Sequence, residues 1–119
     1  MKYMLMIYSN PETVQALGED LDAVMAEVDG LMAELTESGE WLGGEALADP
    51  VNAKTVRIRD GVPVVTDGPF VEAKEHLAGY CLLECDSLER ALEIAARWPD
   101  ARFMGVELRP LMNGSADEV

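Results

Sequence analysis

The densest group of side chains able to carry chemistry lies near the middle of the chain. Asp67-Gly68-Pro69-Phe70, the DGPF loop, is followed at once by two carboxylates, an ammonium and an imidazole: Glu72, Lys74, Glu75 and His76. Gly68 can take a positive φ and Pro69 fixes its own φ, so the loop is predicted to hold one shape, with Phe70 as an apolar anchor. Carboxylates close to an ammonium shift one another's pKa, which is a frequent property of functional sites.

This segment predicts acid–base chemistry on a small molecule. Asp67, Glu72 and Glu75 are the candidate catalytic acids or bases, and Lys74 is a candidate ligand-binding residue that would orient the ligand or stabilise negative charge. The alternative is that Asp67 only closes a turn while the other charged side chains solvate a surface loop. His76 is interpreted as a surface residue, because one unpaired histidine is more often incidental than catalytic.

Other patterns give no support for a bound metal or cofactor, and none is predicted. One histidine and two cysteines do not supply a converging set of metal ligands. Gly43-Gly44 lacks the Lys and the Ser or Thr of a phosphate loop. Cys81 and Cys85 lie on one predicted strand, about 13 Å apart, so they are expected to be reduced packing residues.

Length and charge narrow the class of protein. The chain has 119 residues, with 9 Lys plus Arg against 23 Asp plus Glu, and a net charge of −14. One domain is expected, and neither nucleic acid nor an anionic membrane surface is an expected partner. The apolar stretch Tyr3–Tyr8 is too short for a membrane span or a signal peptide, so a cytoplasmic location is expected.

An α+β fold is predicted to position these residues. The order β, α, β, hairpin, β, α, β predicts a ferredoxin-like sheet with two helices on one face and an extra β-hairpin. The long helix should end near Gly39, and the second helix should bury a stripe of Leu88, Ala91, Leu92 and Ala95. The strands are predicted at 2–8, 41–47, 54–59, 62–66, 80–85 and 103–109.

Residues 1–112 are predicted to form a single domain, and residues 113–119 a flexible acidic tail. The first strand and Tyr80–Cys85 are apolar on both faces, whereas two helices can cover only one face of a sheet. A second copy of the chain would cover the other face, so a homodimer is predicted.

These segments resemble the DGPF-containing branch of the YCII-related family over almost the whole chain. The resemblance is carried by the DGPF loop with Glu72, Lys74, Glu75, Gly79 and Tyr80, by Gly43-Gly44-Glu45, and by Val106–Pro110. It implies a dimeric α/β barrel with a cleft near the DGPF loop, where Glu45 and Tyr80 are candidate ligand-binding residues. It implies no established reaction, so whether the protein is an enzyme stays open. Other YCII-related proteins are associated with a His–Asp pair whose histidine lies in the N-terminal half, and this chain has no histidine before His76.

Two functions are therefore considered. The first is binding of, or chemistry on, an unknown small molecule in a cleft of the dimeric barrel. The alternative is a non-catalytic regulatory or interaction dimer. Proteins that resemble this one are often encoded beside extracytoplasmic-function sigma factors, and an acidic dimer could contact a basic surface of such a partner.

Overall fold

The computed structural model describes residues 1–71 and 73–112, which form six strands and four helices. The strands are β1 (Lys2–Ser9), β2 (Trp41–Ala46), β3 (Lys54–Arg59), β4 (Val62–Asp67), β5 (His76–Glu84) and β6 (Val106–Pro110). The helices are α1 (Pro11–Leu17), α2 (Leu21–Ser38), α3 (Leu88–Arg97) and α4 (Asp100–Phe103), and short 3₁₀ turns cover Gly18–Asp20 and Pro50–Asn52. Glu72 and the predicted tail at 113–119 lie outside the described residues.

The helix ends follow from capping chemistry that is visible in the sequence. The Asn10 side chain accepts a hydrogen bond of 2.7 Å from the amide at position 13, and Pro11 occupies the first turn of α1. Gly39 ends α2 in the left-handed conformation, with φ of 83°. Ser87 caps α3 by accepting from the amide of Arg90 at 3.1 Å.

Four strands form one antiparallel sheet in the order β2-β5-β1-β6. Helix α2 connects β1 to the outer strand β2, and helix α3 connects β5 to the other outer strand β6. This strand order with two helical crossovers is the ferredoxin-like arrangement. The predicted α+β class with an antiparallel sheet is confirmed. Strand β5 begins at His76 rather than at Tyr80, so His76 pairs with Ser9.

The core lies between this sheet and the helices. Its buried members include Tyr3 and Leu5 of β1, Leu31 and Leu35 of α2, and Trp98 after α3.

The predicted stripe of α3 is partly wrong, because Leu88 and Leu92 are exposed. The buried residues of this helix are Ala91, Ile94 and Ala95. Ile94 and Ala95 follow Ala91 by three and four residues, so all three lie on one face of the helix.

Strands β3 and β4 form a separate two-stranded sheet, here called the arm. Its turn is Asp60-Gly61, with φ of 52° and 78°, values that suit a tight hairpin turn. Thr55 is the one buried side chain in the arm's two strands. The radius of gyration is 16.6 Å, against about 13.5 Å for a compact domain of this length. Because the arm is not hydrogen-bonded to the four-stranded sheet and all of its strand residues except Thr55 are exposed, it extends from the body of the chain.

Phe70 does not anchor the DGPF loop within the single chain, so the expectation of an apolar anchor is wrong there. The residue is 73% exposed, and the guanidinium of Arg57 lies over its ring at 5.1 Å from the centroid. The loop is held instead by Thr55, whose hydroxyl donates to the Gly68 carbonyl at 2.8 Å.

The helices were expected to leave the opposite face of the sheet uncovered, but the apolar side chains on that face are less exposed than this expectation implies. Met6 is only 9% exposed, and its neighbours Met4, Tyr8 and Leu82 are half-buried. The large exposed apolar side chains concentrate on the arm and its following loop. Within the described ranges, no helix is long and apolar enough to cross a membrane.

Candidate functional site

A cavity of about 390 Å³ lies between α2 and the end of the sheet formed by β1, β5 and β2. Met25, Val28 and Met32 form its wall on α2. Their spacing of three and four residues puts them on one helix face, while Ile7 lines the cavity from β1. This volume is within the range of pockets that bind small molecules.

The cavity exists because small residues from neighbouring strands meet beneath the helix. The register places Ile7, Gly79 and Ala46 in one row across three strands, and Cys81 beside Gly44 in the next row. A Cβ atom at Gly44 would lie 2.5 Å from the Tyr80 carbonyl oxygen, so that position accepts no side chain without a shift of the backbone. Glycine and alanine thus leave open the space that larger side chains would fill.

Both tryptophans of the chain line this cavity. Trp98 is 3% exposed and belongs to the core, whereas Trp41 is half-buried at the start of β2. The Trp41 ring lies against Gly44, since a Cβ atom there would be 3.0 Å from its Cη2 atom. The walls are therefore aromatic as well as aliphatic.

Asp100, the first residue of α4, is the half-buried carboxylic acid at the cavity. Burial raises the pKa of this carboxyl above its ordinary value, and a hydrogen bond from its own backbone opposes that shift. Across residues 1–71 and 73–112, no ion pair and no hydrogen bond from another side chain satisfies it. A half-buried carboxyl without a side-chain partner among these residues is suited to accept a hydrogen bond from a ligand or to exchange a proton with it.

Cys81 lies on the floor of the cavity and is a free, buried thiol. Burial, followed by the charge of Asp100, raises the pKa of the thiol to about 12. It is therefore protonated at neutral pH and is not an activated nucleophile. The expectation that Cys81 and Cys85 are reduced packing residues is confirmed.

Two of the predicted ligand-binding residues, Glu45 and Tyr80, border the cavity. They are paired across β2 and β5. Because side chains alternate along a strand, those of Glu45 and Tyr80 belong to the opposite face from Gly44 and Cys81. Both side chains therefore lie on the face of the sheet that points away from α2, although both residues border the cavity.

Among the described residues, the charged side chains around the DGPF loop do not line this cavity within the same chain. Asp67 is exposed and forms an ion pair with Lys54 across the arm. Lys74 Nζ lies 3.5 Å from Glu12 Oε1, and Glu75 is exposed. Their roles stay predictions, as does that of Glu72 outside the described residues. Within the described ranges, no group of three or more His, Cys, Asp or Glu is arranged to hold a metal ion.

The sequence did not single out Asp100 or Trp98 as site residues. Trp98-Pro99 predicts the end of a helix, but none of the neighbouring residues indicates that the carboxylate after it is buried. Only the packing of α4 near the cavity lined by β1 and β5 half-buries that carboxylate.

Comparison with known proteins adds the family. A sequence model of the YCII-related domain matches residues 1–113. An uncharacterized protein of Rhizobium meliloti (strain 1021) is 34% identical over an alignment of 114 residues, and the alignment covers 93% of this chain and 92% of that protein. Among solved structures, the 5-chloro-2-hydroxyhydroquinone dehydrochlorinase of Burkholderia phenoliruptrix, in complex with 2,5-dihydroxybenzoquinone, matches over 93% of each chain at 12% identity and a TM-score of 0.48. The chain belongs to the YCII-related family.

Proposed function

We propose that this protein binds, or acts on, a small molecule in the cavity between α2 and the sheet. The observation that carries the proposal is an apolar cavity of about 390 Å³ with a half-buried carboxyl group, that of Asp100, which has no side-chain partner among the described residues. Apolar walls supply affinity, and a few polar groups fix the orientation of the ligand. With a raised pKa, Asp100 is better placed than an exposed carboxylate to serve as a general acid or base.

The charged residues of the DGPF loop are part of this proposal only if the protein is a dimer. We assign the chain to the DGPF branch of the family on residues 67–70. Asp67, Lys74 and Glu75 lie outside the cavity of their own chain, so a role there requires a second subunit to bring its loop across. We therefore propose that the active form is a homodimer. The exposed apolar side chains of the arm support it, because a two-stranded hairpin has little stability alone.

The second candidate function is a non-catalytic interaction dimer, with a sigma factor as one possible class of partner. The exposed arm favours it, because contiguous exposed apolar residues mark interaction surfaces. In this case the cavity would be a packing defect, and no small molecule would stabilise the protein.

A ligand screen separates the two functions. Wild type and the Asp100→Asn variant would be screened against a metabolite library by thermal shift, with Asp22→Asn on the exposed surface of α2 as the matched control. A ligand of the cavity should raise the Tm of wild type and of the control, and the shift should be lost or reduced in Asp100→Asn.

The outcomes are distinct. A library with no stabilising compound for wild type, together with retention of a copurified protein by all three proteins, would refute the cavity function and support the interaction dimer. A ligand whose shift is lost in Asp67→Asn as well as in Asp100→Asn would show that the loop takes part in binding.

A further inference from the structure

We propose that the cavity selects an organic cation with an apolar or aromatic body, such as a protonated amine, over neutral and anionic molecules of the same shape. This inference rests on the proposed function, since it names the class of ligand for the same cavity. Three features of the cavity carry it: the sign of its charges, the lack of a side-chain partner for Asp100 among the described residues, and the aromatic walls.

The ionisable groups around the cavity have one sign near neutral pH. Asp29 and Asp100 line it, Glu45 borders it with its side chain on the opposite face of the sheet, and no Lys, Arg or His is among the described residues that line it. The whole chain carries a net charge of −14, so the surrounding field also favours cations. A carboxylate or phosphate ligand would meet repulsion with no compensating partner.

Asp100 lacks the kind of side-chain partner that the half-buried carboxylate of Glu40 has. Glu40 receives two hydrogen bonds from Arg90, at 2.7 and 2.9 Å. Arg102 is close to Asp100 in sequence, but its guanidinium binds Glu27 at 2.9 Å. An ammonium group on the ligand would supply the charge-assisted hydrogen bond that the described residues do not give Asp100.

The walls suit the apolar part of such a ligand. Trp41 and Trp98 present aromatic surfaces, and Met25 and Met32 present adaptable thioethers. A cation near the face of an indole ring is attracted by its quadrupole, which adds to the attraction of the carboxylate. The same walls would also accept a neutral molecule of the same shape, so the selectivity should come from charge.

The test uses three probes of nearly the same shape: phenethylamine, phenethyl alcohol and phenylacetate, which are cationic, neutral and anionic near neutral pH. Because both tryptophans of the chain line the cavity, selectively excited tryptophan fluorescence reports binding without a label. The titrations would be made on the full chain for wild type, Asp100→Asn and the surface control Asp22→Asn. Circular dichroism and Tm would establish that each variant is folded.

For wild type and the control, phenethylamine should bind at least about tenfold more tightly than the alcohol, and phenylacetate most weakly. In Asp100→Asn the advantage of the amine should shrink to about twofold or less, because the charge-assisted hydrogen bond is lost. Equal or tighter binding of the alcohol or the carboxylate to wild type would overturn the cationic class while the cavity function stands. If none of the three probes changed the fluorescence while a compound from the metabolite library still bound, only the present inference would fail.

Discussion

At the scale of single residues, Gly44 permits the close approach of β2 to β5 beside the cavity. Gly44→Ala should lower the free energy of unfolding by about 1–3 kcal/mol, because the added methyl would lie 2.5 Å from a backbone oxygen and 3.0 Å from the Trp41 ring. The matched control is Gly30→Ala in the interior of α2, where an added Cβ atom meets nothing within 4 Å. It should stabilise the protein by about 0.5–1 kcal/mol, since glycine weakens a helix interior. Urea denaturation measures both, and a neutral Gly44→Ala variant would contradict the tight approach of β2 to β5.

At the scale of elements, the Glu40–Arg90 ion pair joins the start of β2 to helix α3. Arg90 holds the Glu40 carboxylate through two hydrogen bonds, and the Ser38 hydroxyl donates a third at 2.7 Å. The hydrogen bonds from Arg90 are the largest cause that lowers the pKa of Glu40, from 4.5 to about 2, and burial opposes them. Because the folded-state pKa is depressed, this stabilisation is complete above pH 4.5 and is lost as the pH falls towards 2.

Glu40→Gln should therefore lower the free energy of unfolding by about 2 kcal/mol near neutral pH, and the difference from wild type should close at low pH as Glu40 protonates. Denaturation curves at several pH values measure this difference. The control is Glu34→Gln, whose partner Arg97 is also exposed, and it should change stability much less. A wild-type advantage over Glu40→Gln that persisted unchanged near pH 2 would show that Glu40 ionisation does not link these elements.

At the scale of the whole molecule, the arm exposes apolar side chains that a single chain does not cover. One of its faces carries Val56, Ile58, Pro63 and Val65, which pair across the two strands and are all exposed. The strand β3 also holds three of the nine cations of the chain, Lys54, Arg57 and Arg59. A cationic, apolar arm and a strongly acidic body are complementary between two copies of the chain.

Light scattering should therefore show a homodimer at micromolar concentration, and Ile58→Asp should shift it towards monomer. Ile58 is 65% exposed in the single chain, so the substitution should leave the monomer folded. Val51→Asp is the matched control, because Val51 is 78% exposed but lies outside the arm. A wild-type monomer, or equal dissociation by both substitutions, would contradict the role of the arm.

The order of the elements and most of their ends could be predicted from the sequence. Asn10, Gly39 and Ser87 mark helix ends because capping depends on a few neighbouring residues. The Asp60-Gly61 turn fixes the hairpin in the same way, since both residues accept positive φ. These signals act over a few residues, so they can be read without knowing what packs against them.

The tertiary structure alone decided the cavity and the positions of the candidate residues around it. Gly44, Ala46 and Gly79 leave a space only because the register of β2 and β5 places them side by side. Asp100 is half-buried only because α4 packs near the cavity floor. Phe70 is apolar yet exposed, because the arm and its loop extend from the body. Burial depends on contacts between segments distant in sequence, whereas capping and periodicity depend on neighbours. This is why the fold could be predicted from the sequence, whereas of the residues around the cavity only Glu45 and Tyr80 were predicted.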